Sequence, residues 1–281
     1  MELTKRFLFR GNASALSGLF YRPTPVVVDM PGASSLGVSG GRSQSRIQGA
    51  SFGDVIRFGS AMTFAEGIYD DVKLATAVSN FQAEPHTLNS TTKVVAEIKE
   101  LAVGKTPLFR AKVIRGALVS RSPAGSGEPS IAPGPGVAIQ GVDIGGFALN
   151  VVLNSTLFRK YDTRSKVAAA VDDPKLAKKF GQHFVANAAV TGQIRRAGLV
   201  VRNGLIYTTI VEKITWVSKP FPKSTIDGHV VTIPNFGKIF FGELLIGGAE
   251  RRLTMVRFEM GSPVGGWADG GGVDTNGSFY P

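Results

Sequence analysis

The 281-residue chain contains no cysteine, and this absence excludes several chemistries at once. Without a thiol there is no disulfide, no thiolate zinc site, no iron–sulfur cluster and no cysteine nucleophile. Histidine is also scarce, with three residues, so a histidine-based centre has few possible members. The chain has no strand–GxGxxG–helix unit and no GxxxxGK-Ser/Thr segment, which disfavours dinucleotide and P-loop nucleotide binding. We therefore expect no cofactor.

Long apolar runs are missing as well. No segment approaches the ~18 uninterrupted apolar residues that a membrane-spanning helix requires, and the stretch 239–246 is interrupted by Gly242 and Glu243. The first ten residues have one short apolar stretch, Phe7–Phe9, which is too short for a secretory signal. We expect a soluble chain without a membrane span. The sequence does not indicate a cellular compartment.

What is abundant favours β-structure. The 35 glycines, 15 prolines and 18 phenylalanines are typical of an all-β protein with many turns and an aromatic core. Val94, Ala96 and Ile98 alternate with Val95, Glu97 and Lys99, the period of a half-buried strand. Residues 205–217 form the strongest strand pattern, and because both faces are partly apolar we expect one central strand. The chain is thus predicted to be mainly β, a large β-sandwich or an irregular barrel with a short helical insertion, in a single domain over residues 1–281.

The helical insertion is predicted at about residues 155–187. Asn154 or Ser155 can accept from the first free backbone N–H groups of a helix. Asp173 followed by Pro174 is typical of an N-cap and first helical position. The wider segment 154–202 has ten Lys or Arg against three Asp, an excess of seven in a chain of net charge +11. The positive charge is therefore concentrated in one segment.

This basic segment has two interpretations. Most charge runs are solvated faces of amphipathic helices packed on a sheet. The alternative is a surface for an anionic polymer or partner, because clustered charge raises the local potential. The predicted anion-binding residues are Arg159, Lys160, Arg164, Lys166, Lys175, Lys178, Lys179, Arg195 and Arg196.

A second set of cations lies in the strand pattern of residues 108–121. Arg110 and Lys112 alternate with apolar residues, and Arg115 and Arg121 follow in the same segment. Ordinary outward facing of polar side chains explains this pattern, and a basic stripe on an exposed sheet face is the alternative.

Three glutamates are the candidate catalytic residues. Glu212, Glu243 and Glu259 lie within otherwise apolar strands. An inward-facing carboxylate there would have a raised pKa, the property that an acid catalyst requires. Outward placement on half-exposed strands is the structural alternative.

Two acid-x-His pairs are the candidate metal ligands. They are Glu84 with His86 and Asp227 with His229, and imidazole with carboxylate suits zinc, manganese or iron. Nothing in the sequence brings the two pairs together, so isolated surface histidines are the alternative and no metal is predicted.

Two glycine-rich segments complete the organisation. Residues 31–50 are predicted to be a surface loop. Residues 261–281 are predicted to be a tail that either docks on the body or a neighbouring subunit, or is disordered. The mean hydropathy of +0.10 is high for a monomer and indicates apolar surface covered in a homo-oligomer.

These observations favour a non-catalytic β-rich protein that self-associates and holds an anionic partner on its basic helical surface. A hydrolase-type enzyme that uses the carboxylates or the acid-x-His pairs is one alternative. A sequence-nonspecific nucleic-acid binder is another, given an isoelectric point near 10.0. The second alternative is weakened because aromatic residues are not interleaved with the basic cluster, as base stacking requires.

Overall fold

The computed structural model describes residues 6–22, 24–71, 88–104, 108–125, 127–172, 194–196, 199–202, 205–261, 265–275 and 278–280. The first strands are β1 (Arg6–Leu8), β2 (Gly11–Phe20), β3 (Val26–Val28), β4 (Ala33–Ser35), β5 (Gly41–Phe52), β6 (Ile56–Tyr69), β7 (Ser90–Val103) and β8 (Phe109–Ser122). The middle part contains β9 (Ser130–Pro133), β10 (Ala138–Gln140), β11 (Val142–Ile144), β12 (Phe147–Leu153), α1 (Ser155–Lys160) and α2 (Arg164–Asp172). The remaining strands are β13 (Ile194–Arg196), β14 (Leu199–Arg202), β15 (Leu205–Thr209), β16 (Val211–Trp216), β17 (Thr225–Asp227), β18 (Val230–Ile233), β19 (Gly237–Ile246), β20 (Arg251–Met260), β21 (Gly266–Thr275) and β22 (Ser278–Tyr280).

Two antiparallel sheets form the body. Sheet 1 has the order β13-β14-β15-β19-β20-β21-β2-β3, with β4 beside β2 and the β17–β18 hairpin beside β19. Sheet 2 has the order β16-β12-β11-β8-β7-β6-β5, with β9 and β10 beside β8. Strands β2, β20 and β21 of sheet 1 lie over β6, β7 and β8 of sheet 2. Among the described strands neither sheet closes on itself, because each ends in open edges. The fold is therefore the predicted β-sandwich and not the irregular barrel. A separate pair joins β1 to β22.

The alternation of buried and outward residues shifts by one position along a single row across sheet 1. Two consecutive residues are buried at Ala15–Leu16 in β2, Gly270–Gly271 in β21 and Met255–Val256 in β20. The ladder pairs Leu16 and Val256 with Gly270, so these positions are neighbours. In β19 the same row contains Gly242. Gly242 and Gly271 both have a positive φ, a backbone conformation that glycine adopts without steric cost.

Both helices lie at one edge of the sandwich and contribute to its core. The Asn154 side chain accepts from the Leu157 N–H at 3.2 Å, which confirms the predicted N-cap. Phe158 and Val167 are buried in the main core. The Arg251 Nη2 group at the start of β20 donates to the Tyr161 carbonyl at 2.9 Å and ties the helices to sheet 1. None of the helices among the described residues is long and apolar enough to cross a membrane.

The strand expected over residues 205–217 is two strands in different sheets, so the prediction of one central strand was wrong. β15 pairs with β19 in sheet 1, whereas β16 pairs with β12 in sheet 2. The chain passes between the sheets at Ile210, whose N–H donates to the Gly242 carbonyl and whose carbonyl accepts from the Asn154 N–H. The Thr209 hydroxyl binds the Phe241 and Gly242 carbonyls and accepts from the Val211 N–H.

Three further segments differ from their predictions. The loop expected over residues 31–50 contains β4 and most of β5. The end of the basic segment, whose Arg195 and Arg196 were counted with the predicted basic helical surface, forms the strands β13 and β14. The glycine-rich segment after residue 261 supplies β21, which lies between β20 and β2 near the centre of sheet 1. Glycine content marked the first and the last of these segments as irregular, but most of their residues are paired in the two sheets.

Candidate functional site

Arg257 on the outer face of sheet 1 brings together three of the predicted site residues. Its guanidinium donates to both oxygens of Glu243, from Nε at 2.6 Å and from Nη2 at 2.8 Å. Its Nη1 group donates to Glu259. His229 Nε2 lies 3.9 Å from Glu243 Oε1. Two candidate catalytic carboxylates therefore bind one arginine, and one candidate metal-ligating histidine lies beside Glu243. No sequence pattern had pointed to Arg257.

The shift in alternation at Gly242 creates this arrangement. Phe240 faces outward, and strict alternation from Phe240 would turn Glu243 inward. The extra step at Gly242 turns Glu243 outward instead, on the same face as Phe240. Arg257 is the cross-strand neighbour of Phe240, and its guanidinium carbon lies 3.7 Å from the centroid of that ring. The guanidinium is thus held by a buried ring and two carboxylates together.

Glu243 is held in its ionised form. Burial alone would raise the pKa of this carboxyl, but the hydrogen bonds from Arg257, together with nearby His229, lower the pKa to about 2. The partner arginine has a raised pKa for the same reason, since Glu243 and Glu259 outweigh its burial. The raised carboxyl pKa expected for an inward-facing glutamate is therefore wrong for Glu243. Its direction is the opposite of what a general acid requires.

Two shallow clefts flank the arginine. The first, of about 260 Å³, is lined by Asp227, Lys238, Phe240, Arg257 and Glu259 together with small β-branched residues. The second, of about 270 Å³, lies beyond Glu243 and also includes Arg252 and Asp269. Among the described residues no group of three His, Asp or Glu is arranged to hold a metal ion. Opposite charges lie side by side in both clefts.

The other predicted site residues do not join this cluster. Glu212 is exposed on β16 in sheet 2. His229 is 1% exposed, so the alternative of isolated surface histidines is wrong for this residue. Glu84 and His86 lie outside the described residues. The carboxylates and histidine that do meet are thus Glu243, Glu259 and His229.

A serine with the spacing of a hydrolase nucleophile occurs at Gly37-Val38-Ser39-Gly40-Gly41. This G-x-S-x-G segment forms a tight turn in which the Gly40 N–H donates to the Gly37 carbonyl at 3.0 Å. The turn leads into strand β5, and no helix follows it. A nucleophile elbow requires a strand-to-helix turn, so the geometry of that motif is absent here.

The outer face of sheet 2 is strongly basic. Strands β5 to β8 contain nine Lys or Arg against three Glu, and none of these charged side chains is buried. The cations of this basic face are Arg42, Arg46, Arg57, Lys93, Lys99, Arg110, Lys112, Arg115 and Arg121. Among the described side chains, the outer face of sheet 1 has three cations against five carboxylates, namely Lys238, Arg252 and Arg257 against Asp227, Glu243, Glu259, Asp269 and Asp274. Sheet 2 therefore presents the more positive surface.

An aromatic ring lies within the basic face. The Arg42 guanidinium lies 5.0 Å and the Lys93 ammonium 5.7 Å from the centroid of Phe64. Glu97 accepts from Arg115 at 2.7 Å and lies 3.4 Å from Lys99. These two hydrogen-bonded cations outweigh its burial and lower the pKa of the Glu97 carboxyl. Glu66 is the cross-strand neighbour of both Arg42 and Lys93 and lies 3.5 Å from Arg42 Nε, so a carboxylate also accompanies the two cations at Phe64.

The predicted basic helical surface is only partly described and partly neutralised. Arg159 and Lys160 are exposed at the end of α1. Lys166 pairs with Asp162 at 2.7 Å. Arg164 lies near Glu128, which also accepts from the Ser165 N–H at the start of α2. Lys175, Lys178 and Lys179 lie outside the described residues, and Arg195 and Arg196 belong to β13, not to a helix.

Residues 7–247 match the family described as Domain of unknown function (DUF8256). The chain belongs to this family. Neither the curated proteins nor the solved structures contain a match to the chain. In the DUF8256 sandwich the matched range includes all of the basic face and the residues Glu243 and His229, whereas Arg257 and Glu259 follow it.

Proposed function

We propose that the protein is a non-catalytic β-sandwich that self-associates and holds an anionic polymer on the basic face of sheet 2. The observation that carries the proposal is the nine-to-three excess of cations over carboxylates on β5 to β8. Strands lie ~5 Å apart and advance ~3.3 Å per residue, so these cations are spread over a flat surface wide enough for an extended chain. A distributed positive surface attracts a polymer with repeating charges more strongly than a small anion.

The contacts at Phe64 add to this surface. An aromatic ring between two cations offers a flat apolar contact beside two charges, which suits a base or a sugar ring attached to a phosphate or sulfate group. The interleaving of aromatic and basic residues that the helical segment lacks is present here at one position, Phe64 with Arg42 and Lys93.

The glutamates favour a non-catalytic protein. Glycoside hydrolysis requires one protonated and one ionised carboxyl group. Glu243 and Glu259 share the same arginine, and the pKa of Glu243 is about 2. His229 is too deeply buried to contact a substrate directly. The cluster is accordingly proposed to stabilise sheet 1.

The test compares two triple variants, each of which removes three positive charges. Arg46→Gln, Lys93→Gln and Arg121→Gln change the basic face. Arg159→Gln, Lys160→Gln and Lys166→Gln change the helical surface. Binding to heparin and to single-stranded DNA is measured by fluorescence anisotropy over a range of salt concentrations, and the two polymers distinguish sulfate from phosphate sources.

We expect the basic-face variant to weaken binding and to reduce the slope of log affinity against log salt by about 2, since each lost phosphate contact removes ~0.7 from the slope. The helical-surface variant should keep the wild-type slope. Equal losses of affinity in both variants, or a larger loss in the helical-surface variant, would show that the polymer does not bind mainly on sheet 2. Absence of wild-type binding at low salt would refute the proposal.

A further inference from the structure

Strand β5 is an open edge of sheet 2. Among the described strands only β6 hydrogen-bonds to it, along the whole length from Gly41 to Phe52. In an antiparallel ladder every second residue directs its N–H and C=O groups away from that neighbour, so the free side of β5 presents a row of donors and acceptors. β5 has 12 residues and contains neither proline nor lysine, which commonly protect such edges. The strand is therefore able to pair with a further strand.

The outward side chains of β5 alternate between arginine and glutamine. These exposed residues are, in chain order, Arg42, Gln44, Arg46 and Gln48. The residues between them face sheet 1 and are half-buried. Gly49, with a φ of +55°, ends the regular alternation. The middle of the regular stretch is Ser45.

An antiparallel pair of two β5 strands centred on Ser45 places each arginine opposite a glutamine. Arg42 then faces Gln48 of the second copy, and Arg46 faces Gln44. The amide oxygen of glutamine accepts hydrogen bonds that a guanidinium donates, so all the outward pairs are complementary and no like charges are directly opposed. Moving the centre by one residue, to Gln44 or to Arg46, places Arg42 opposite Arg46 or Arg46 opposite itself. The side chains therefore favour a single register of self-pairing.

We infer that β5 pairs with β5 of a second copy of the chain, antiparallel and centred on Ser45. This inference rests on the proposed function for its premise of self-association. A carboxylate-bearing strand of another protein would complement the two arginines alone, whereas a second copy complements the arginines and the glutamines together. In such strand addition the backbone hydrogen bonds supply the affinity, and the side chains select the register.

The geometry of this pairing joins the two basic faces. Residues on the same face of the sheet are opposite each other, so the two-fold axis is perpendicular to the sheet and both basic faces lie on one side. Phe64 pairs with Gln44 and so lies one strand from the junction in each copy. Arg42 and Arg46 of the two copies are diagonal neighbours at the junction, and an anionic polymer that crosses it offsets their remaining repulsion. Polymer binding and dimer formation are thus expected to strengthen each other.

The first experiment changes the charge of Gln44 in the full chain. Gln44→Arg places an arginine opposite Arg46 of the second copy, and Gln44→Glu places a carboxylate there. Gln140→Arg and Gln140→Glu are the matched controls, because Gln140 is exposed in β10 of the same sheet, away from β5. Sedimentation velocity from nanomolar to near-millimolar protein, without polymer, gives the dissociation constant of each dimer.

We expect Gln44→Arg to weaken the wild-type dimer by at least ~10-fold and Gln44→Glu to tighten it by ~10-fold, because each substitution occurs twice across the two-fold axis. Both Gln140 variants should dimerise as the wild type does, to within about 3-fold, since distant exposed charges are screened. A wild type that is monomeric at every concentration, or a dimer that responds equally to changes at the two positions, overturns the inference. Circular dichroism checks that the variants are folded.

A second experiment tests the register, and the absence of cysteine makes each introduced thiol unique. Ser45→Cys places two thiols directly opposite each other, with Cβ atoms about 5 Å apart. Ser43→Cys is the control on the same strand and face. Because Ser43 faces Ile47 of the second copy, its two thiols are separated along the strand by roughly 13 Å. A bismaleimide with a short spacer should cross-link Ser45→Cys far more than Ser43→Cys, and equal cross-linking contradicts a centre at Ser45. A monofunctional maleimide checks that both thiols are accessible.

A short heparin fragment that fits one basic face separates this inference from the proposed polymer site. Its affinity for the wild type and for the basic-face variant depends on that site whether or not β5 pairs. Short-fragment binding by a protein that stays monomeric refutes the β5 contact and leaves the polymer site. A dimer that responds to Gln44 but binds no heparin refutes the polymer site and leaves the β5 contact.

Discussion

Arg257 and Glu243 form a two-point ion pair across neighbouring strands, with N–O distances of 2.6 and 2.8 Å. The side chains are 29% and 17% exposed, so the pair is only partly screened by water. The arginine also lies 3.7 Å from the Phe240 ring. One residue therefore joins β19 to β20 through charge, hydrogen bonding and ring contact together.

We predict that Arg257→Ala lowers the free energy of unfolding by about 2 to 3 kcal/mol, because it leaves the Glu243 carboxylate half-buried without its partner. Arg252→Ala is the matched control on the same strand. Arg252 is 61% exposed and lies 3.9 Å from Asp269, so its loss should cost less than about 1 kcal/mol. Urea unfolding measures both values. Equal losses would show that the pair adds nothing beyond a surface arginine.

The second prediction concerns acid stability. The pKa of Glu243 is about 2 in the folded state against an ordinary value of 4.5. A depressed carboxyl pKa gives stability that is present above the unfolded value and is lost as the pH falls toward the folded value. We expect this group to contribute about 3 kcal/mol near neutral pH and to lose it between roughly pH 5 and pH 2.

Glu243→Gln should therefore flatten the decline in unfolding free energy below pH 5. Some decline will persist, because the carboxyl groups of Glu97, Glu128 and Asp162 also have lowered pKa values. Glu212→Gln, an exposed change on sheet 2, is the control and should retain the full slope. Denaturant titrations at a series of pH values give the comparison, and parallel curves for Glu243→Gln and wild type would contradict it.

The sequence predicted the class of fold because alternation and turn residues report local backbone preference. It did not predict on which face of sheet 1 the side chains lie after Gly242 in β19 and after Gly271 in β21. One extra residue in a strand reverses every later side chain, and glycine composition does not state where that residue lies. Glu243 was identified from its apolar surroundings, but its partner Arg257 depends on a register that only the folded sheet supplies.

The passage between sheets at residues 209–211 illustrates a second limit. Local pattern predicts extended chain there, and the backbone is extended on both sides of Ile210. That β15 and β16 belong to different sheets depends on contacts with β12 and β19, which are distant in sequence. Hydrophobic periodicity and β-propensity do not indicate which distant strand a given strand pairs with.

Two adjacent buried threonines at this passage give the third prediction. The Thr209 hydroxyl donates to the Phe241 and Gly242 carbonyls and accepts from the Val211 N–H. The Thr208 hydroxyl is buried without a hydrogen-bond partner among the described residues. Thr209→Val should cost about 1 to 3 kcal/mol, because it leaves buried backbone groups unsatisfied. Thr208→Val should be neutral or slightly stabilising by thermal unfolding, and equal effects of the two substitutions would contradict the assignment.

The glycine run of β21 explains why this segment was expected to be a tail, and its close approach to sheet 2 gives the fourth prediction. Gly116 in β8 faces Gly271 in β21, and a Cβ atom on Gly116 would lie 2.4 Å from the Gly271 carbonyl oxygen. The backbones of the two sheets approach so closely here that no side chain fits between them. We expect Gly116→Ala to destabilise the protein by about 2 to 3 kcal/mol through overpacking. Gly248→Ala is the control, since a Cβ there meets nothing within 4 Å and should change stability by less than about 1 kcal/mol. If Gly116→Ala unfolds at the same denaturant concentration as Gly248→Ala, the close approach of the sheets is not what requires glycine at position 116.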